Sequence, residues 1–190
     1  DIYGKSYLIM HIKQYNNEVL YAENGIVKVC RQDIDRLKEM SNDNERKRIR
    51  LCTHKDVDEK IHEMLIVHTK DTYVRPHKHM NKIESFHVIE GKVDIVLFKE
   101  DGGIMDAVQM GDYLSGYNFY HRISFPYYHT LIIRSDVLVF HETTNGPFKR
   151  TDTIFPVWAP DEKDFSGQKR FMKNLTVQVD NLLSKSEKDV

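Results

Sequence analysis

His77 and His79 stand two residues apart in Pro76-His77-Lys78-His79-Met80-Asn81-Lys82-Ile83-Glu84, a run followed by Gly91. On an extended strand, side chains alternate with period two, so the two imidazoles point the same way. Glu84 can bring a carboxylate back to that face from the next strand. Imidazoles and a carboxylate are donors that iron, manganese, nickel or zinc accept. The candidate fourth ligand lies farther along, His129 in Pro126-Tyr127-Tyr128-His129-Thr130-Leu131. The expected cofactor is one divalent metal ion, with Fe, Mn, Ni and Zn all open. Histidines on a polar surface loop are the simpler alternative, and the spacing of the whole run argues against it.

Tyr73 and Arg75 continue the two-residue spacing backwards from His77. A buried face carrying two histidines, an arginine and a phenol without partners would cost roughly 1–3 kcal/mol per unsatisfied group. A metal and a polar ligand would supply those partners. Tyr73 is therefore a candidate to hydrogen-bond a substrate hydroxyl, and Arg75 to grip a phosphate or carboxylate through two parallel bonds. His141 and Glu142, on a later strand, are candidates for proton transfer. His121 competes with His129 as the last ligand, and His129 is preferred because it enters an alternating apolar strand. His87 faces away from Glu84 and reads as a surface or interface group. His62 and His68 read as packing or surface groups near the first barrel strand, with His54 at an opening of the pocket.

These residues need a scaffold of short strands. Residues 64–69, 73–79, 84–90, 92–99, 104–110, 121–124, 127–134 and 136–143 form alternating or apolar runs. Turn signals separate them, among them Glu90-Gly91 and Asp101-Gly102-Gly103. About eight strands at such spacing predict a closed sandwich or double-sheet jelly roll. Before them, the spacing predicts a strand at 26–29, a helix capped by Asp33 and ended by Ser41-Asn42-Asp43-Asn44, and a second short helix from Thr53 or Asp56 to about Ile61. Phe171, Leu175, Val179, Leu182 and Leu183 predict an amphipathic helix over 168–185 that packs on the barrel or on a partner subunit. The expected organisation is an N-terminal extension over 1–60, a jelly roll over 61–150, and an irregular segment with a helix over 151–190.

Composition narrows the partners. Across 190 residues, 28 Lys and Arg face 29 Asp and Glu, which argues against a nucleic-acid or anionic-membrane partner. The run Glu45-Arg46-Lys47-Arg48-Ile49-Arg50 reads as a solvated face or a source of local ion pairs. Cys30 and Cys52 have no Cys-x-x-Cys spacing, which favours a reducing compartment such as the cytoplasm. No apolar run approaches the roughly 20 residues of a membrane span, and Tyr7–Ile12 is too short for the core of a signal peptide. A jelly roll with open strand edges and apolar elements at both ends is expected to form a homodimer.

The pattern from His77 to Gly91, a histidine pair, then Glu84, then Gly91, resembles the first motif of the cupin family, and Gly111, Pro126 and His129 resemble its second motif at a longer spacing. Tyr73-Val74-Arg75-Pro76-His77-Lys78-His79, Glu84 to Gly91, Tyr128 to Ile132, Phe140 to Phe148 and Trp158-Ala159-Pro160 together resemble the WbuC-type cupins. The likeness covers roughly residues 50–160. It implies an all-β-dominated chain built on a metal-binding cupin jelly roll, in a family associated with bacterial surface-polysaccharide (O-antigen) biosynthesis. The leading expectation is a metal-dependent enzyme acting on a sugar or sugar nucleotide by isomerisation or epimerisation. An iron-dependent dioxygenase and a non-catalytic sugar-binding or regulatory module are the alternatives, because this fold hosts all three.

Overall fold

Alternation of apolar and polar residues builds most of the chain into strands. A computed structural model describes residues 11–186. The strands are β1 (Ile12–Gln14), β2 (Val19–Ala22), β3 (Arg48–Cys52), β4 (Ile61–Thr69), β5 (Lys78–His79), β6 (Glu84–Glu90), β7 (Lys92–Phe98), β8 (Ile104–Gly111), β9 (Tyr120–Ile123), β10 (Tyr128–Ile133), β11 (Val137–Asn145) and β12 (Thr153–Ile154). The helices are α1 (Arg31–Asp43) and α2 (Phe165–Ser186). One sheet runs β1-β2-β3-β4-β11-β6-β9, a second runs β10-β7-β8, and a ribbon pairs β12 with β5.

The two larger sheets face each other across one core. Met64, Ile66, Phe86, Val88, Leu138 and Phe140 from the first meet Val93, Ile95, Leu97, Leu131 and Ile133 from the second. This is the double-sheet jelly roll that the spacing predicts. Both outer faces are covered as well. Leu37 of α1 packs with Ile49, Leu51, Val67 and Val139 on the long sheet. Leu175 and Val179 of α2 pack with Val96, Ala107 and Ile132 on the short one, so the amphipathic helix folds onto its own barrel. Burial of each such aliphatic side chain stabilises the fold by about 1.5–3 kcal/mol. No helix among the described residues is long and apolar enough to cross a membrane.

Gly91 makes the tight connection from β6 to β7 with φ of +93°. A Cβ there would lie 2.3 Å from the Val137 carbonyl oxygen, a backbone atom that cannot swing aside. This explains why a glycine closes the first motif. Gly91→Ala is expected to cost about 2–4 kcal/mol, combining a disfavoured backbone angle with displacement of β11. Urea melts of the two proteins measure it.

Three expected elements are corrected. Residues 26–29 keep their alternation, with Val27 and Val29 half-buried against the α1 cluster, but among the described residues they pair with no strand. Residues 53–60 form turns instead of a helix, because Asp56 accepts from the Asp58 amide and His54 Nδ1 engages the backbone of Glu63. The run at 73–79 is a strand only at Lys78 and His79. Pro76 has no N–H for a ladder, and the Arg75 carbonyl is taken by the His77 ring. The basic run enters β3, where Arg48 pairs with Glu18 at 2.8 Å and Arg46 pairs with Glu18 and Glu162. Of the predicted Tyr7–Ile12 cluster, residues 7–10 lie outside the described residues.

His68 is buried edge-on against Phe140, with Arg48, Arg50 and Arg46 nearby and no partner for its Nδ1 among the described residues. Burial first, and then those charges, hold its pKa well below the ordinary 6.5. The unfolded chain takes up this proton near pH 6.5 and the folded one does so only at lower pH. The stability contribution is therefore complete above pH 6.5 and is lost as pH falls below it. His68→Met is expected to make the acid-side stability slope shallower by about 1.4 kcal/mol per pH unit, read from denaturant melts at several pH values.

Candidate metal centre

The cluster forms where three separate segments meet at one end of the barrel. His77 lies in an antiparallel bridge with His129, its amide donating to the His129 carbonyl at 3.1 Å and its carbonyl accepting from the His129 amide at 2.9 Å. His79 lies in β5 opposite Thr153 of β12. Glu84 opens β6 on the face it shares with the core residues Phe86 and Val88. The imidazole centroids of His77 and His79 are 4.9 Å apart, those of His77 and His129 are 4.6 Å apart, and those of His79 and His129 are 6.2 Å apart. Glu84 reaches His79 Nε2 with one carboxylate oxygen at 3.1 Å and His129 Nε2 with the other at 3.3 Å. All four residues expected as ligands are thus brought together. The barrel that holds them is a double-sheet jelly roll.

Hydrogen bonding on the far side of each ring sets its chemistry. His77 Nδ1 lies 2.8 Å from the Arg75 carbonyl, and His129 Nδ1 lies 3.1 Å from the Tyr127 carbonyl. A carbonyl only accepts, so each Nδ1 carries the hydrogen, and in the neutral ring Nε2 presents a lone pair. His79 Nδ1 is held by the Thr153 hydroxyl at 3.1 Å. This is the arrangement by which outer partners aim metal-binding histidines. At 3.3 Å, the Nε2 lone pair of a neutral His129 would oppose a carboxylate oxygen, so a positive charge is needed between them. A proton or a metal ion can supply it.

The electrostatics agree. Burial, together with His129 and His79, pulls the His77 pKa down to about 3, so its ring stays neutral. Burial alone would raise the Glu84 carboxyl, but hydrogen bonds from His129 and His79 outweigh it and hold it far below the carboxylate range. Burial opposes the charged form of His129, yet the bond to Glu84 raises its pKa overall. The carboxylate thus bridges two imidazoles. Among the described residues no group of three or more donors is already spaced around a central ion. The donor set itself, three imidazoles and a buried carboxylate with outer partners on each Nδ1, fits a divalent cation.

The remaining predicted residues separate into two places. Strand alternation divides His141 from Glu142. Glu142 shares the inward face of β11 with Leu138 and Phe140, whereas His141 shares the outward face with Val139, opposite His87 and near Glu63 at 3.9 Å. Burial and the neighbouring Glu84 raise the Glu142 pKa to about 7, despite opposition from Arg50, His129 and Lys82. Tyr73 and Arg75 turn away from the cluster. Tyr73 donates to the Pro160 carbonyl at 3.0 Å, and Arg75 pairs with Asp161 at 2.7 Å.

Other polar groups join the interior face, among them His121, the competing candidate for the last ligand. In register across the sheet, Thr144 of β11 lies between His62 and Glu84, and His121 lies opposite Phe86. Among the described residues, Thr144 Oγ1 and His121 Nδ1 are buried without hydrogen-bond partners. His62 stacks on His54 at 4.1 Å, and both are buried. Lys82 is buried, donates to the Asn145 carbonyl at 2.9 Å, and has its pKa lowered chiefly by burial. Its place within the motif, two residues before Glu84, is the one clue the sequence offers. Cys30 is exposed and Cys52 buried, both as free thiols.

Comparison with known proteins adds little beyond this geometry. A profile described as a domain of unknown function (DUF6016) matches residues 29–110. No curated protein matches the chain significantly. Among solved structures, Bacillus subtilis oxalate decarboxylase aligns at a TM-score of 0.41 and 19% identity, over 51% of this chain and 24% of that one. The chain thus spans about a quarter of that enzyme's length. One structure of the decarboxylase concerns its Mn(II) centres. Protein SO0799 from Shewanella oneidensis aligns at 0.43 and 11% identity, over 54% of this chain and 66% of that one. The fold rests on the strand order and register described above.

Proposed function

We propose that the protein is a metal-dependent enzyme acting on a sugar or sugar nucleotide by isomerase- or epimerase-like proton transfer. The resemblance to WbuC-type cupins supports a place in bacterial surface-polysaccharide synthesis. The observation that carries the reading is Glu84 held between His79 and His129 beside His77, with a second carboxyl, Glu142, on the same interior face. A structural ion would need only the first set. When bound, a divalent ion supplies polarisation of a carbonyl or anchorage of adjacent hydroxyls. Glu142 holds or releases a proton at its carboxyl oxygens. Thr144 and His121 offer buried polar atoms to a hydroxyl-rich ligand. The barrel's apolar residues keep bulk water from the exchanging proton.

The test is proton exchange at carbon. Metal-loaded protein is incubated in deuterium oxide with a panel of free sugars and nucleotide sugars and followed by NMR. Deuterium appearing next to a carbonyl, or at an inverted centre, supports the reading. Oxygen uptake without exchange would replace it with oxidation, and saccharide binding with no exchange would make the protein a non-catalytic binder.

A further inference from the structure

A groove of about 1090 Å³ begins where the histidine cluster ends. Phe155 is part of its wall, and the Phe155 ring lies 6.1 Å from that of His77. Two segments run from the groove into the cluster. In one, Tyr73 and Arg75 line the groove and His77 and His79 belong to the cluster; in the other, Arg150 and Phe155 line the groove and Thr153 holds His79. A ligand lying in the groove therefore has a short path to the metal-binding end of the barrel.

The groove's charge departs from that of the chain. The whole chain is nearly neutral at a formal −1, but seven basic side chains line the groove against four acidic ones. Of the acids, Asp161 is engaged by Arg75, and Glu162 by Arg46 and Arg48. Among the described residues, Lys70, Arg150, Lys163 and Lys169 take part in no ion pair, and all four are exposed to the groove's solvent. Arg75 sits with its guanidinium 4.7 Å from the centre of the Phe155 ring. Its Nη1 binds Asp161, whereas its Nε is buried and has no hydrogen-bond partner among the described residues. A guanidinium held over an aromatic ring at the wall of the groove is a planar, permanently charged donor suited to a phosphate. Phe165 and Met172 add apolar surface from α2, and the volume is ample for a nucleotide-sized ligand.

We propose that this groove is an anion-binding subsite for the diphosphate of a nucleoside-diphosphate-linked ligand. Arg75 grips a phosphate, while Lys70, Arg150, Lys163 and Lys169 supply the surrounding positive field. Identifying the bound diphosphate as part of the substrate rests on the function proposed above; the groove's affinity for a diphosphate does not.

The experiment is calorimetric titration of metal-free protein with uridine diphosphate, inorganic pyrophosphate and uridine at low and high salt. Uridine diphosphate is expected to bind, to weaken as salt rises, and to bind at least about tenfold more weakly to the exposed double variant Arg150→Glu/Lys169→Glu and to Arg75→Gln. Pyrophosphate binding as tightly as uridine diphosphate supports a subsite that reads the anion alone. Tighter binding of the nucleotide supports one that reads the nucleoside too. Uridine binding as well as its diphosphate, unchanged affinity in the exposed double variant, or no binding by wild type would overturn the proposal. Because metal and turnover are absent from the assay, its failure is distinct from a failure of the carbon-exchange test.

Discussion

His129→Ala is expected to lower divalent-metal affinity by at least about 100-fold while leaving a folded barrel. The side chain is almost fully buried and contacts both Glu84 and His77, so no solvent-exposed group can take its place. Removing it deletes one imidazole donor and also frees Glu84 to relax towards His79. In the metal-free protein the change costs about 1–3 kcal/mol, because a buried carboxylate loses a hydrogen-bond donor. The core shared by the two sheets is otherwise untouched. Metal titration, with thermal melts of metal-free and metal-loaded forms, separates the two effects. Wild type should gain about 2.7 kcal/mol at a metal concentration of 100 times Kd, and the variant should gain far less at the same concentration. Equal gains would remove His129 from the ligand set.

Glu142→Gln is expected to slow carbon-bound proton exchange by about 10²–10⁴-fold with metal content unchanged. The amide keeps the size and polarity of the side chain on the inward face of β11 but can neither take nor give up the proton. His141→Gln is the contrasting variant. His141 points outward beside Glu63 and His87, so exchange should change less than about twofold. Reversal of that order would place the acid/base group on the other face of the strand.

The contrast between these adjacent residues shows where sequence reasoning reaches and where it stops. Period-two alternation gave β6, β7, β8, β10 and β11 nearly to the residue, since each has one face in the core. The same alternation puts His141 and Val139 on one face of β11 and Glu142 on the other. On β11, however, both faces are covered, one by the facing sheet and the other by α1. Apolarity on both sides cannot say which face looks inward, and Glu142 became identifiable as the interior carboxyl only from the packing. The cluster of candidate ligands was legible because its spacing is short and chemical: His77, His79 and Glu84 lie within one hairpin-sized stretch, and His129 begins an apolar strand.

Tyr73 and Arg75 illustrate the opposite case. Extrapolating strand geometry backwards from His77 put them beside the candidate ligands, but Pro76 and the bond from the His77 ring to the Arg75 carbonyl break the strand there. The backbone turns, and both side chains enter the neighbouring groove. That groove is assembled from stretches near residues 45, 70, 150 and 165, and no local pattern could have announced it. Thr153 was hidden for the same reason: its contact with His79 depends on a two-residue ribbon between segments 74 residues apart.

The central claim is that His77, His79, Glu84 and His129 hold one divalent ion. X-ray absorption at the metal edge of the loaded protein, normalised to elemental content, tests it most directly. The expected result is one ion per chain with a first shell of nitrogen and oxygen and the multiple-scattering signature of about three imidazoles. A chain that takes up no divalent ion, or an ion whose shell lacks several imidazoles, would contradict it.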